Sequence, residues 1–170
     1  MTVEVRPARP EEHEEAGRIT AEAYREFVRP EDPSAWEEYL ARIADVSSRA
    51  GRTTILVAVE DGRVLGSATL ELSGRTDAVA DSLPPGEAQV RMLGVAPTAR
   101  GRGIGRLLMN ECLRLARARG KTVLTLNTTR RMEAARSMYE AMGFVRGADE
   151  VFPDGFVLLS YARDLGVEER

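Results

Sequence analysis

Residues 90–108 read Val90-Arg-Met-Leu-Gly-Val-Ala-Pro-Thr-Ala-Arg-Gly-Arg-Gly-Ile-Gly-Arg-Leu-Leu108. The stretch predicts a strand, a glycine-rich turn and an amphipathic helix. Residues 88–95 are mostly apolar and suit a strand. Ile104, Leu108, Cys112 and Leu115 then recur at helical spacing, predicting a helix over about 103–119. Gly101, Gly103 and Gly105 allow left-handed backbone and close approach to a ligand. The first amides of a helix lack intrahelical partners, and its dipole favours an anion there. A phosphate or pyrophosphate fits such an end. Arg100, Arg102 and Arg106 add positive charge at the same place, where charge-assisted hydrogen bonds to phosphate are strong. A tight turn with surface arginines would give the same letters, so support must come from elsewhere in the chain.

Spacing excludes three other phosphate motifs. A Walker loop needs Gly-Lys-Ser/Thr, which is absent. A dinucleotide fingerprint needs a third glycine where Arg106 stands, near the first strand of the chain. A kinase glycine loop needs lysine, HRD and DFG partners that are missing.

Outward from this stretch, strands and helices alternate. Residues 2–6 predict a strand, and Pro10 can open a helix striped by Ile19, Ala23 and Phe27. Trp36, Leu40 and Ile43 mark a second helix. Residues 54–60 and 63–72 predict a hairpin around Asp61-Gly62. Residues 73–87 predict a mobile loop. A strand follows at 122–127, and a helix at 131–142 is stopped by Gly143. Two last strands, near 144–151 and 155–163, join at Pro153-Asp154-Gly155. Hairpins together with helical crossovers predict an α/β fold with a mixed sheet and helices on its faces.

Composition agrees. The chain has 170 residues, 43% hydrophobic and 30% charged, a length and balance that suit one globular domain over 1–170. No apolar run approaches the ~20 residues of a membrane span, and the charged N-terminal stretch, without an apolar core, predicts no signal peptide. One cysteine, Cys112, and one histidine, His13, leave little for a disulfide or a metal site, so no metal is expected and a cytoplasmic setting is. A net charge of -3 gives no general drive toward nucleic acid. Of the 24 basic residues only Lys121 is a lysine, which fits a GC-rich genome.

Arg100-Gly-Arg-Gly-Ile-Gly105 resembles the Q/R-x-x-G-x-G/A signature of the Gcn5-related N-acetyltransferases, the GNAT superfamily. Met92-Leu-Gly-Val95 resembles the end of that family's fourth strand. Ala135-Arg-Ser-Met-Tyr139 followed by Gly143-Phe144 resembles its A-x-x-[LF]-Y-x-x-x-G-F segment. The resemblance covers the chain in element order. It implies a central mixed, twisted sheet of about seven strands, helices on both faces and a splayed fourth strand.

The resemblance also implies a reaction. Family members move an acetyl group from acetyl-CoA, as cosubstrate, to a primary amine by direct attack. The acceptor is a small-molecule amine or a protein amine; no nucleic acid or membrane partner is implied, and a homodimer is left open. Residues 100–106, including Ile104, would hold the pyrophosphate. Leu93, Gly94 and Val95 would meet the pantetheine arm, and Asn127 would touch CoA. Tyr139 matches the general acid that protonates the leaving thiolate, a transfer from a phenol of pKa ~10 to a sulfur of ~8.5 that requires good placement. The family's usual glutamate base falls at Gln89, which takes no proton. Glu87 is the candidate base through water, with Glu71 beside it, and Gln89 would orient a water or the substrate. Met132 replaces a family asparagine. Gln89 also motivates a second reading, an acetyl-CoA-binding regulatory module with little or no turnover. A structural α/β domain that binds no CoA is the third.

Overall fold

The structure is a computed structural model that describes residues 2–27, 33–72, 83–153 and 155–166. Most of the loop expected at 73–87, its residues 73–82, lies outside them, as does Asp154 of the expected final turn. The chain opens with β1 (Glu4–Pro7), a single 3-10 turn (Pro10–Glu12) and α1 (His13–Arg25). Then come α2 (Pro33–Ala44), α3 (Val46–Ala50), β2 (Thr54–Glu60) and β3 (Arg63–Glu71). The second half runs β4 (Glu87–Val95), α4 (Ile104–Ala118), β5 (Val123–Thr128) and α5 (Glu133–Ala141). It closes with β6 (Val145–Arg146), β7 (Glu150–Val151) and β8 (Val157–Asp164).

The strands form one mixed sheet in the order β1-β2-β3-β4-β5-β8-β6, with β7 also on β8. Only β4 and β5 run parallel, because α4 carries the chain across between them. Asp61 and Gly62 both take left-handed φ, 52° and 76°, as the two-residue β2–β3 turn demands.

The two faces pack different helices. Ile55, Val57, Val59 and Val64 meet Ala16 and Ile19 of α1 and Val46 of α3. On the other face Leu56, Ala68, Leu70, Val90 and Leu124 meet Leu108, Met109 and Cys112 of α4. Gly17 sets how closely α1 approaches α2, since a Cβ there would lie 2.0 Å from the Ala44 carbonyl oxygen.

Two departures from the sequence reading have local causes. The five-residue α3 is too short for periodicity to announce, and Asp45 caps it by accepting from Ser48 N at 3.3 Å. The strand expected over 144–151 is split. Gly147 N still donates to Ser160 O at 2.8 Å, and the pairing then lapses where Ser160 Oγ, in place of backbone, donates to the Ala148 carbonyl at 2.7 Å. That split yields eight strands where about seven were expected.

The splay of the fourth strand, expected from the family resemblance, makes the site. Strand β4 pairs with β5 only from Glu87 to Val90. Beyond that Met92 takes a left-handed φ of 53°, and the register against β3 slips between the Ser67↔Gly94 and Thr69↔Arg91 pairs. This β-bulge turns the end of β4 away from β5. Residues 91–95 therefore keep β3 on one side and have no β5 partner on the other.

Candidate active site

Where β4 and β5 part, a cleft of about 790 Å³ opens, within the range of cofactor sites. Leu93, Gly94 and Val95 line it from β4, and Asn127 and Thr128 from β5. Ala23, Tyr24 and Phe27 approach from α1 on one face of the sheet. Ile104, Gly105, Met138 and Tyr139 approach from α4 and α5 on the other. The cleft thus runs through the gap from one face to the other.

The start of α4 forms one wall. The first intrahelical bond there is from Leu107 N to Gly103 O, 3.0 Å. The amides of Gly103, Ile104, Gly105 and Arg106 precede it and have no backbone partner among the described residues. Gly101 and Gly103 take φ of 79° and 76°, which bends the chain into this end. Gly105 is closely packed, since a Cβ would lie 3.3 Å from Met138 Sδ.

The arginines divide. Arg100 and Arg106 line the cleft, and Arg100 pairs across it with Glu26 at 2.5 Å. Arg102 does not line it; its guanidinium pairs with both oxygens of Glu60, at 3.1 and 2.5 Å. Arg131, which the sequence reading did not select, supplies a further cation to the lining.

Tyr139 is only 6% exposed. Its ring packs on Phe144 and Tyr161, with centroids 5.9 and 6.2 Å away. Burial, with a smaller contribution from Cys112, raises its phenol well above the ordinary value. The phenol therefore keeps its proton at any working pH, at some cost in driving force for proton transfer. Tyr24, on the opposite wall, is likewise pushed up by burial. Tyr39 stands edge-on to Tyr24 at 6.3 Å and to Trp36 at 5.7 Å, so these two aromatics of α2 back the cleft instead of lining it.

Gln89 and Glu87 lie outside the lining. Gln89 Oε1 accepts from Arg91 Nε at 3.0 Å. Glu87 starts β4, roughly 20 Å from Gly94 at about 3.3 Å of rise per residue. That separation is too long for a base acting through a single water. Glu71 is paired across the ladder with Gln89 and is 2% exposed.

The sequence matches the acetyltransferase (GNAT) family over residues 16–144, most of the chain. The chain belongs to the GNAT family. Among curated relatives of this GNAT protein, an N-alpha-acetyltransferase RimI of Mycobacterium tuberculosis is 39% identical over 85 residues, half of this chain and 48% of that one. A mycothiol acetyltransferase of Cellulomonas flavigena is 31% identical over 147 residues, 76% of this chain and 42% of that one. The chain thus spans less than half the length of these relatives. Among solved structures, yncA of Salmonella typhimurium, with its cofactor acetyl-CoA, superposes with a TM-score of 0.72 at 19% identity, covering 100% of this chain and 98% of that one. The ribosomal-protein-S18-alanine N-acetyltransferase of Escherichia coli gives 0.71 at 18% identity, covering 99% and 97%. Both share this chain's overall fold, the one expected from the sequence.

Within this GNAT chain the cleft gathers Leu93, Gly94, Val95, Arg100, Gly101, Gly103, Ile104, Gly105, Arg106, Asn127 and Tyr139. It leaves out Arg102, Glu87 and Gln89. It adds Tyr24, Phe27, Met132 and Arg131, whose placement depends on which strands neighbour one another. Among the described residues there is no cluster of metal-ligating side chains, and no helix is long and apolar enough to cross a membrane.

Proposed function

We propose that the chain is an N-acetyltransferase that carries an acetyl group from acetyl-CoA to a primary amine. The observation behind this is a free helix N-terminus and a buried tyrosine meeting in one cleft, at a strand edge that has lost its partner. Acetyl-CoA supplies a thioester whose acyl carbon takes the amine nitrogen while sulfur leaves. The cleft suits it on this chain's own features, because it combines a polar strand edge with unpartnered helix amides. The amides at 103–106, with Arg100 and Arg106, would hold the pyrophosphate; Arg100 would exchange Glu26 for it. The exposed edge at Leu93–Val95 would pair with the amide groups of the pantetheine arm, and an N–H there would stabilise developing negative charge on the carbonyl oxygen. Asn127, at the end of β5, would add a side-chain contact.

The Tyr139 hydroxyl would give its proton to the departing sulfur and be restored from solvent. The incoming amine must reach the acyl carbon without its extra proton. Gln89 cannot remove that proton and Glu87 stands too far away, so the amine would enter as the free base or release the proton to water on the α1–α2 face.

Free thiol release on mixing the protein, acetyl-CoA and a panel of primary amines tests this. Mass spectrometry of the amines then shows whether the acetyl group was transferred. Thiol release matched by acetylated amine is expected. Tight acetyl-CoA binding without any acetylated amine would instead identify a regulatory module.

A further inference from the structure

On the α1–α2 face beside the cleft, three arginines gather where little negative charge meets them. Arg91 projects from β4, paired across the ladder with Thr69. Arg49 reaches the same Thr69 from α3, its Nε donating to Oγ1 at 3.0 Å. Arg49 is buried, and its other guanidinium nitrogens donate to backbone carbonyls, Arg42 O, Asp45 O and Ile43 O at 2.8, 3.1 and 2.9 Å. The third, Arg42, lies 5.6 Å from the Tyr39 ring centroid. Burial pushes the Tyr39 phenol up, and the positive charges of Arg42, Arg91 and Arg49 oppose that rise.

Among the described residues, three nearby carboxylates are occupied. Asp45 accepts from Ser48 Oγ at 2.5 Å and from Ser48 N. Glu37 pairs with Arg25 at 3.2 Å, and Glu71 is buried with interactions of its own. Arg91 and Arg42 are both exposed and, among the described residues, without an ion-pair partner; of the two, Arg91 stands on β4, the strand that borders the cleft. Its one hydrogen bond, from Nε to Gln89 Oε1, leaves both terminal nitrogens open and steadies the fork. A glutamate at 89 would have neutralised this arginine; the glutamine holds it and leaves its charge uncompensated.

We propose that Arg91, held by Gln89, is a carboxylate-recognition site for the acceptor, so that the preferred acceptors are small amines bearing a carboxylate close to the amine, as free amino acids do. This rests on the acetyltransferase reading. The planar fork of an arginine matches a carboxylate with two parallel hydrogen bonds. Arg91 lies three residues before Gly94, about 10 Å along the strand, a span that its side chain and an amino acid together can cover. It stands on the α1–α2 face, opposite the α4 end that holds phosphate, and so on the side open to an amine.

The test measures kcat/KM with acetyl-CoA for the common amino acids, each beside its carboxamide and its decarboxylated amine. The best amino acid should exceed its carboxamide at least tenfold. Arg91→Gln should bring that ratio near one by raising KM for the carboxylate form. Gln89→Glu, which neutralises Arg91 in place, should also shrink the ratio whatever it does to the overall rate. Calorimetry with acetyl-CoA shows that each variant is folded. Carboxamides turned over as fast as carboxylates, or a ratio that survives both substitutions, would overturn this inference alone. Turnover of none of the amines would overturn the acetyltransferase reading and this inference with it.

Discussion

Tyr139 carries the chemical claim at the scale of one residue. Its ring is locked between Phe144 and Tyr161, and Phe at this position keeps that packing. Tyr139→Phe should therefore leave acetyl-CoA affinity within about twofold and lower kcat roughly 10²-fold or more, the usual worth of a positioned acid. Single-turnover thiol release checks this where chemistry is limiting. An unchanged rate constant would remove Tyr139 from the reaction. Because burial raises the phenol, no loss of rate from its ionisation should appear below pH 10. The place of Tyr139 in the cleft was legible because five spaced residues, Ala135 through Phe144, sit on one helix and its stop. The Gln89–Arg91 contact was not. Reading it requires knowing that both side chains lie on the same face of β4.

At the scale of elements, the turn from β1 into α1 is held by charge. Arg6 Nη1 and Nη2 donate to Glu12 at 2.7 and 2.9 Å, and Arg9 N donates to it at 2.8 Å. These hydrogen bonds, that from Arg6 first, lower the Glu12 carboxyl from 4.5 to about 2. A depressed carboxylate stabilises the fold above its unfolded value, and this contribution fades as pH falls toward the folded value. At neutral pH it amounts to about 2–3 kcal/mol, since both partners are mostly buried. Urea unfolding should show Glu12→Gln less stable by about that amount at pH 7, with the gap narrowing by about 1 kcal/mol or more at pH 3.5. A gap independent of pH would show that the ion pair does not stabilise this turn. Elements were legible where the signal is local. Asp61-Gly62 fixed the β2–β3 hairpin, and the stripe from Ile104 to Leu115 fixed α4. The one-turn-and-a-half α3 and the break at 147–149 escaped because their causes, a cap by Asp45 and a hydrogen bond from Ser160, are a short cap and a long-range contact.

For the whole molecule, the sheet parts between β4 and β5, and the start of α4, with its unpartnered amides, stands at that opening. The glycine-rich turn and the Tyr139 segment pointed to this arrangement from sequence. The cleft itself depends on Met92 adopting a positive φ, which nothing in its side chain announces, and on α1 bringing Tyr24 and Phe27 over the gap. Gly103 is the position that probes the arrangement directly. A Cβ there meets nothing within 4 Å, so an aspartate fits sterically at a left-handed cost of about 1–2 kcal/mol while setting a negative charge against the pyrophosphate. Calorimetric titration of acetyl-CoA into the wild-type chain and into Gly103→Asp, with thermal unfolding confirming that both are folded, measures the consequence. The account requires saturable binding by the wild type and at least a tenfold weaker affinity in the variant. No binding by the wild type, or equal affinity in the two, would contradict it.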